Sequence, residues 1–104
     1  SDNTINEIVI GYSTTGSGSN SVTLGNTSIT KTVLRSKVGI GTTAPSYDLD
    51  VVGTSKTSSL MVTQSKTPAS SGATGTQGEI CWDNDYLYVC VATDTWKRVA
   101  LSTW

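Results

Sequence analysis

The hydrophobic positions of this chain repeat at a fixed interval near its N-terminus. An aliphatic residue followed by glycine recurs every 14 residues, at Ile10-Gly11, Leu24-Gly25 and Val38-Gly39. Ile8 and Val22 keep the same offset two positions earlier. A short period of strand, glycine and polar turn is typical of stacked β-coils, because each coil buries its apolar stripe only against its neighbours. The repeat therefore predicts an elongated all-β fibre that is stabilised by stacking and by partner chains.

Short stretches that alternate apolar and polar residues predict strands along the rest of the chain, and no stretch keeps the periodicity of a long helix. Strands are expected at residues 7–12, 21–25, 47–51 and 58–64, and residues 29–34 form either a further strand or the exit from the first coils. Another strand is expected to begin at Val38. The last part predicts a three-stranded antiparallel meander, with strands at residues 79–82, 86–92 and 96–101.

These patterns predict four parts in series. Residues 1–35 form a shaft segment resembling a β-roll, and residues 36–66 form a β-rich middle module. Residues 67–78 contain Pro68, three glycines and small polar residues, and form a linker or long loop. Residues 79–104 form a C-terminal antiparallel β knob, which holds all three tryptophans of the chain.

The composition indicates that the chain does not fold well alone. Ser and Thr account for 33 of the 104 residues, Ile, Leu and Val account for 22, and Phe is absent. A small chain of this polarity buries too little apolar surface as a monomer, and oligomerisation is the simplest remedy. The net charge of -1 and the scattered basic residues argue against nucleic acid as a partner.

Two cysteines, Cys81 and Cys90, are expected to be free buried thiols, with a disulfide as the alternative. If residues 83–85 form the hairpin turn, Cys81 faces Leu87 and Cys90 falls opposite Gly78, on the other face of the sheet. A bridge between opposite faces would violate disulfide geometry. The sequence has no His and no second cysteine pair, so we expect no metal site and no cofactor.

No stretch approaches the roughly 20 apolar residues of a membrane span, so no membrane insertion is expected. The first residues also lack the basic and apolar regions of a signal peptide, which indicates a cut inside a longer chain.

Three motifs carry a resemblance to known proteins. Residues 20–26, Asn-Ser-Val-Thr-Leu-Gly-Asn, resemble the repeat of trimeric autotransporter adhesin heads and of phage tail fibres. Residues 38–53 resemble a segment of viral tail or head fibres that ends Leu-Asp-Val-x-Gly, and the aromatic C-terminal residues resemble the terminal knob of virion fibres. Thr23 replaces the usual small Ala of the repeat, and Ser36 stands where a third copy would carry an aliphatic residue, so the first coils are expected to end near residue 35.

The resemblance implies a virion attachment fibre, tail or capsid, that lies outside the cell at the virion surface. It implies short parallel β-roll or β-prism segments. It also implies a homotrimer in which three tips bind a host-cell receptor, with a cell-surface glycan as the expected class. An aliphatic stripe is then expected to face the threefold axis or the interior of the roll, and it comprises Ile8, Ile10, Val22, Leu24, Val38 and Ile40.

The C-terminal aromatic residues are the candidates for receptor binding, because Tyr and Trp combine an apolar face with a polar tip. These residues are Trp82, Tyr86, Tyr88, Trp96 and Trp104. The alternative is that most of them pack in the core or between chains, and Trp104 and Tyr86 are then the most exposed. Asp83 and Asp85 suit either an Asx turn or Ca²⁺ binding, and the turn is favoured.

The sequence contains few residues suited to catalysis, and we expect no enzymatic activity. There is no His for general base catalysis and no nucleophile elbow. Asp48 and Asp50 share one strand face and could form a glycosidase pair, but they are more typical of a solvated strand face. The remaining alternatives are a purely structural module that holds three chains in register, a fragment of a bacterial trimeric adhesin, and a self-cleaving fibre chaperone.

Overall fold

Every regular element of the described chain is a β-strand. The computed structural model describes residues 3–104, so the first two residues of the predicted shaft segment lie outside the described part. Seven strands occur within this range, and none of its residues is helical. The strands are β1 (Glu7–Ile10), β2 (Ser21–Leu24), β3 (Val38–Ile40), β4 (Leu49–Val51), β5 (Ile80–Trp82), β6 (Tyr86–Ala92) and β7 (Thr95–Ala100).

The chain divides into two compact units. The first unit extends to Ser55 and holds β1–β4, and the second, Lys56–Trp104, holds β5–β7. The first unit contains two parallel strand pairs and the second an antiparallel three-stranded sheet. The predicted all-β class, with short parallel pairs before a C-terminal antiparallel meander, is confirmed.

The 14-residue repeat of the sequence is the register of the first parallel pair. β1 and β2 align Ile8 with Val22 and Ile10 with Leu24, a separation of 14 at each position. The same separation continues into the flanking turns, where the side-chain amide of Asn6 donates to Asn20 Oδ1 over 3.3 Å. Both asparagines have positive φ, 58° and 61°, a conformation that Asn tolerates better than most residues. The asparagine of the repeat is therefore a turn residue.

One face of this pair is covered by the chain's own loop. Glu7 Oε1 accepts a 3.0 Å hydrogen bond from the Gly18 N–H, which lowers the pKa of the Glu7 carboxyl. On the same face, the hydroxyls of Ser17 and Thr23 are 2.9 Å apart and share a hydrogen bond. Because side chains alternate along a strand, the aliphatic stripe must lie on the other face.

The aliphatic stripe is exposed to solvent in the single chain. Its exposed fractions are 51% for Ile8, 53% for Ile10, 67% for Val22 and 60% for Leu24. Whether this stripe faces a threefold axis or the interior of the roll stays a prediction.

The second parallel pair repeats this construction with a shorter turn. β3 aligns Val38 with Leu49 and Ile40 with Val51, a separation of 11 residues. A Cβ at Gly39 would lie 2.6 Å from the Thr42 carbonyl oxygen, so the turn packs against the Gly39 face. Ile40 and Leu49, on the other face, are 54% and 62% exposed.

The C-terminal sheet differs by one residue from the register expected for its first hairpin. Cys81 pairs with Tyr88 and not with Leu87, and the backbone bonds of Cys90 are made with Gly78 and Glu79. The expectation that the cysteines lie on opposite faces is wrong. The reason is the turn: the Asp83 N–H donates to the Tyr86 carbonyl, so only Asn84 and Asp85 remain in the loop. One residue fewer in the loop moves every side chain of one strand to the other face.

The inner face of this sheet, defined by Cys81, Tyr88, Cys90 and Trp96, carries the buried hydrophobic cluster of the described residues. Residues 66–76, the covering segment, lie over it without forming a strand. The Trp96 N–H donates to the Ser71 carbonyl over 2.8 Å, and the Trp96 indole N–H donates to the Ala73 carbonyl over 3.0 Å. The glycine-rich stretch expected as a linker or loop thus contacts the core.

The strand expected at residues 58–64 is absent from the described range, and so is the strand that was one of the two alternatives for residues 29–34. Residues 29–34 and 58–64 have no strand pairing, although both contain aliphatic residues. Leu60 and Met61 are 82% and 84% exposed, so their apolar character does not reflect burial within this chain.

Within residues 3–104 there is also no helix of the length and apolarity needed to cross a bilayer.

A substitution at Gly11 tests how much the close stacking of the first two coils stabilises the chain. Gly11 has a φ of 136°, and an added Cβ would lie 2.5 Å from Thr14 Oγ1 and 3.1 Å from Gly25 Cα. We expect Gly11→Ala to lower the free energy of unfolding by about 1–3 kcal/mol, because it combines backbone strain with a clash. Denaturant titration followed by circular dichroism measures the change.

Gly18→Ala is the matched control, since Gly18 also has positive φ but has open space where the Cβ would lie. Its loss of stability should be smaller. An equal loss in the two variants would show that close approach of the coils contributes nothing.

Candidate functional site

The five aromatic residues proposed for receptor binding occupy three different environments. Tyr88 and Trp96 are buried, with only 4% and 5% of their surface exposed. Trp82 and Tyr86 are half-buried at the margins of the sheet, and Trp104 is fully exposed beyond the last strand. The structure therefore brings Tyr86, Tyr88 and Trp96 to the inner face and leaves Trp104 apart from them. Their role in binding stays a prediction.

Trp96 anchors the covering segment. Besides its two hydrogen bonds to that segment, its ring lies so close to Gly75 that a Cβ there would be 2.6 Å from a ring carbon. Gly75 is held further by Asp94, whose carboxylate accepts the Gly75 N–H over 3.0 Å. Only glycine at this position allows the backbone to lie flat on the indole.

Asp83 is the polar centre of the inner face. Its Oδ2 accepts hydrogen bonds from the Thr67 hydroxyl at 2.6 Å and from the Tyr88 hydroxyl at 2.5 Å. Its Oδ1 accepts the N–H groups of Asp85 and Tyr86 at 2.9 and 2.8 Å, which is the favoured Asx turn. The hydrogen bonds from Thr67 and Tyr88 are the main causes that hold the pKa of Asp83 well below its usual range.

Two cations lie beside the aromatic residues. The Arg98 guanidinium lies 3.9 Å from the centre of the Tyr86 ring, a cation–π distance. The Lys66 ammonium lies 5.6 Å from a Trp96 ring centre and forms an ion pair with Glu79 at 2.5 Å. The bond with Asp83 raises the pKa of Tyr88, an effect that Arg98 partly opposes. Tyr88 therefore remains a neutral hydrogen-bonding group.

A cleft of about 340 Å³ opens between the start of the covering segment and the last strand. Residues 68–71 form one wall, and Lys97 and Arg98 form the other, with Tyr88 and Trp96 between them. This volume lies at the lower end of the roughly 300–1,000 Å³ of ligand-binding pockets. Serine, basic and aromatic residues thus line one concave surface.

The cysteines on the inner face are free and buried. Burial is the main cause that raises the pKa of the Cys81 thiol. Cys90 is completely buried, and its thiol donates to the Ala92 carbonyl over 3.0 Å. Both cysteines thus serve as small core residues.

The sequence reasoning missed the cationic part of this site. The sequence predicts Lys66 and Arg98 only as scattered charges and residues 68–71 only as part of a linker or long loop. Arg98 could have been found from the correct hairpin register, which places it opposite Tyr88 on the inner face. The contact of Lys66 and the covering segment with the sheet carries no comparable signal, since it joins an irregular loop to strands.

Comparison with known proteins finds similarity over about a third of the chain. It is 64% identical over 36 residues to a protein of Klebsiella phage K5-2 described as depolymerase 1, capsule K30/K69-specific. It is 46% identical over 37 residues to a protein of Klebsiella phage K64-1 described as a depolymerase, capsule K30/K69-specific. The matched segments cover 35% and 36% of this chain but only 4% and 5% of those proteins. No protein-family model matches the chain. No solved structure matches it.

These relatives overturn one expectation from the sequence. The absence of histidine and of a nucleophile motif led us to expect no enzymatic activity, but both similar proteins are named as depolymerases. The expectation is wrong because it required the catalytic groups to be recognisable in these 104 residues.

Asp83 predicts a specific dependence of stability on pH. An unfolded Asp titrates near 3.9, and the folded-state pKa of Asp83 lies below that value. As pH falls below about 4, the unfolded chain takes up a proton that the folded chain does not, so the stabilisation by the carboxylate is progressively lost. We expect Asp83→Asn to melt at a lower temperature at neutral pH and to show a shallower decline between pH 4 and pH 2.

Thermal melts across this pH range, followed by tryptophan fluorescence, measure the effect. Asp85→Asn removes the same charge from the same turn while keeping the partners of Asp83, and it should follow the parent chain. Identical pH profiles for the parent and Asp83→Asn would contradict the role given to this carboxylate.

Proposed function

We propose that this chain is part of a phage tail protein of the depolymerase kind, which attaches the virion to the capsular polysaccharide of its host. The observation that carries the proposal is the similarity to two phage proteins named as capsule-specific depolymerases. The activity proposed for the whole protein is cleavage of the polymer to which it attaches. The protein would lie on the virion surface, outside the host cell.

The geometry of the second unit supports a role in holding the polysaccharide. Its cleft joins the edges of Tyr88 and Trp96 to two serines and a guanidinium. Sugars combine hydroxyl groups with apolar ring faces, so aromatic carbon and hydrogen-bonding groups suit them together. Trp104, fully exposed, supplies a further ring for contact with a polymer.

We further propose that the protein acts as a homotrimer. A compact monomer of 10.9 kDa exposes about 5,600 Å² of surface, and two separate compact units of half that mass would expose about 6,700 Å². This chain exposes 8975 Å². The excess supports partner chains as the means of burial.

The apolar character of the exposed surface supports the same proposal. In the aliphatic stripe, the four residues of β1 and β2 and Ile40 of β3 are exposed, whereas Val38 is half-buried. The outer face of the C-terminal sheet, opposite the inner face, exposes Ile80, Leu87 and Val99 at 60%, 37% and 58%. Contiguous apolar surface of this kind is typical of protein interfaces. Three chains also provide three binding sites, which raises avidity for a repeating polymer.

Leu24 tests the proposed trimer interface. We expect the parent chain to elute with a mass about three times 10.9 kDa in size exclusion coupled to light scattering. Leu24→Asp should shift it toward a monomer, because a carboxylate buried between chains lacks a partner. Leu34→Asp is the matched control, since Leu34 has similar exposure, 63% against 60%, but lies outside the strands. A monomeric parent chain, or equal mass shifts in both variants, would contradict the interface.

Binding to capsules tests the attachment role. We expect the chain to bind purified capsular polysaccharide of Klebsiella types K30 or K69 in biolayer interferometry, and to bind encapsulated cells more than acapsular cells of the same strain. Release of reducing ends from the same polymer, by the longer protein that contains this chain, measures the proposed cleavage. Equal binding to acapsular cells would contradict attachment through the capsule.

A further inference from the structure

We propose that the cleft between residues 68–71 and β7 binds a carboxylate-bearing sugar unit, such as a uronic acid, with Arg98 as the group that recognises the carboxylate. This inference rests on the proposed function and adds to it the chemical class of the sugar and the residue that selects it.

Arg98 carries a charge without a carboxylate partner in the described residues. Within residues 3–104, ion-pair distance is reached by Lys66 with Glu79, and Arg98 has no such carboxylate partner. Arg98 is instead fixed by the ring of Tyr86 at 3.9 Å and lies in the strand position opposite Tyr88. Arg98 also interacts with the Tyr88 hydroxyl. Stacking on an aromatic ring orients a guanidinium and leaves its other N–H groups available along the ring edge.

The cleft carries positive charge from Arg98. Arg98 shares the inner face with Tyr88 and Trp96, whereas Lys97 borders the cleft with its side chain on the outer face, and the lining includes no Asp or Glu. The nearby carboxylate of Asp83 already accepts four hydrogen bonds, two on each oxygen. It therefore holds the Tyr88 hydroxyl in place and does not occupy Arg98 as an ion-pair partner.

The geometry and charge of a guanidinium favour a carboxylate. A guanidinium binds a carboxylate through two parallel, charge-assisted N–H···O bonds, which are roughly twice as strong as hydrogen bonds to the neutral hydroxyls of a sugar. The cleft, about 340 Å³, gives the attached ring a place between the wall at residues 68–71 and the edges of Tyr88 and Trp96. The wall is held by the Ser71 carbonyl, which accepts the Trp96 N–H, so the cleft is formed before a ligand arrives.

The test uses the full chain in its native assembly and small probes observed by NMR. The probes are the methyl glycosides of glucuronic acid and of glucose, together with acetate. We expect amide shifts at Lys97 and Arg98 that saturate with the glucuronide, and much weaker shifts with the glucoside or with acetate. Arg98→Gln should weaken glucuronide binding about tenfold or more, and Arg98→Lys should weaken it less.

Arg35→Gln is the matched control, because Arg35 is the other arginine of the chain and is exposed in the first unit. It should bind the glucuronide as the parent does. Equal shifts with the glucoside, or unchanged binding by Arg98→Gln, would overturn the proposal. If Arg98→Gln also binds K30 and K69 capsules as the parent does, the cleft assignment fails while capsule attachment stands. If the parent binds neither capsule, the proposed function itself fails.

Discussion

Scarcity of buried apolar surface is the constraint on which the rest of this structure depends. Buried hydrophobic side chains in the described range are limited to Cys81, Tyr88, Cys90 and Trp96, whereas both parallel strand pairs leave their aliphatic faces open. A cluster of this size does not offset the loss of conformational entropy of a chain of 104 residues. The protein therefore relies on backbone hydrogen bonds, side-chain caps and, in our proposal, on identical partner chains.

Within that constraint, the sequence predicted the elements whose signal is local and repeated. The 14-residue repeat predicted the register of β1 with β2, because glycine and asparagine at fixed offsets set the turn conformation. The alternating aromatic segments became β5, β6 and β7. The strand expected at residues 58–64 did not form, since an aliphatic run specifies a strand only when a partner strand is available for pairing.

The same limit explains why the candidate site was predicted only in part. Its aromatic residues were identified, but a hairpin loop misjudged by one residue placed the cysteines on opposite faces. The cause is Asp83, whose carboxylate accepts two turn N–H groups and narrows the loop to two residues. A turn residue thus decides which side chains of β6 face Arg98. Contacts from the covering segment carry no periodic signal, so they could not be read from the sequence.

The two units both use hydrogen-bonded loops to cover a strand face, but they cover different kinds of face. In the first unit, a polar loop contacts one strand face and the aliphatic face is exposed. In the second, the covering segment buries the aromatic inner face and is itself held by Asp83, Asp94 and Trp96. Because the cleft lies along the edge of that cover, its shape depends on the hydrogen bonds that stabilise the unit. The groups proposed to bind sugar are therefore positioned by the same hydrogen bonds that stabilise this unit, whose hydrophobic core is small.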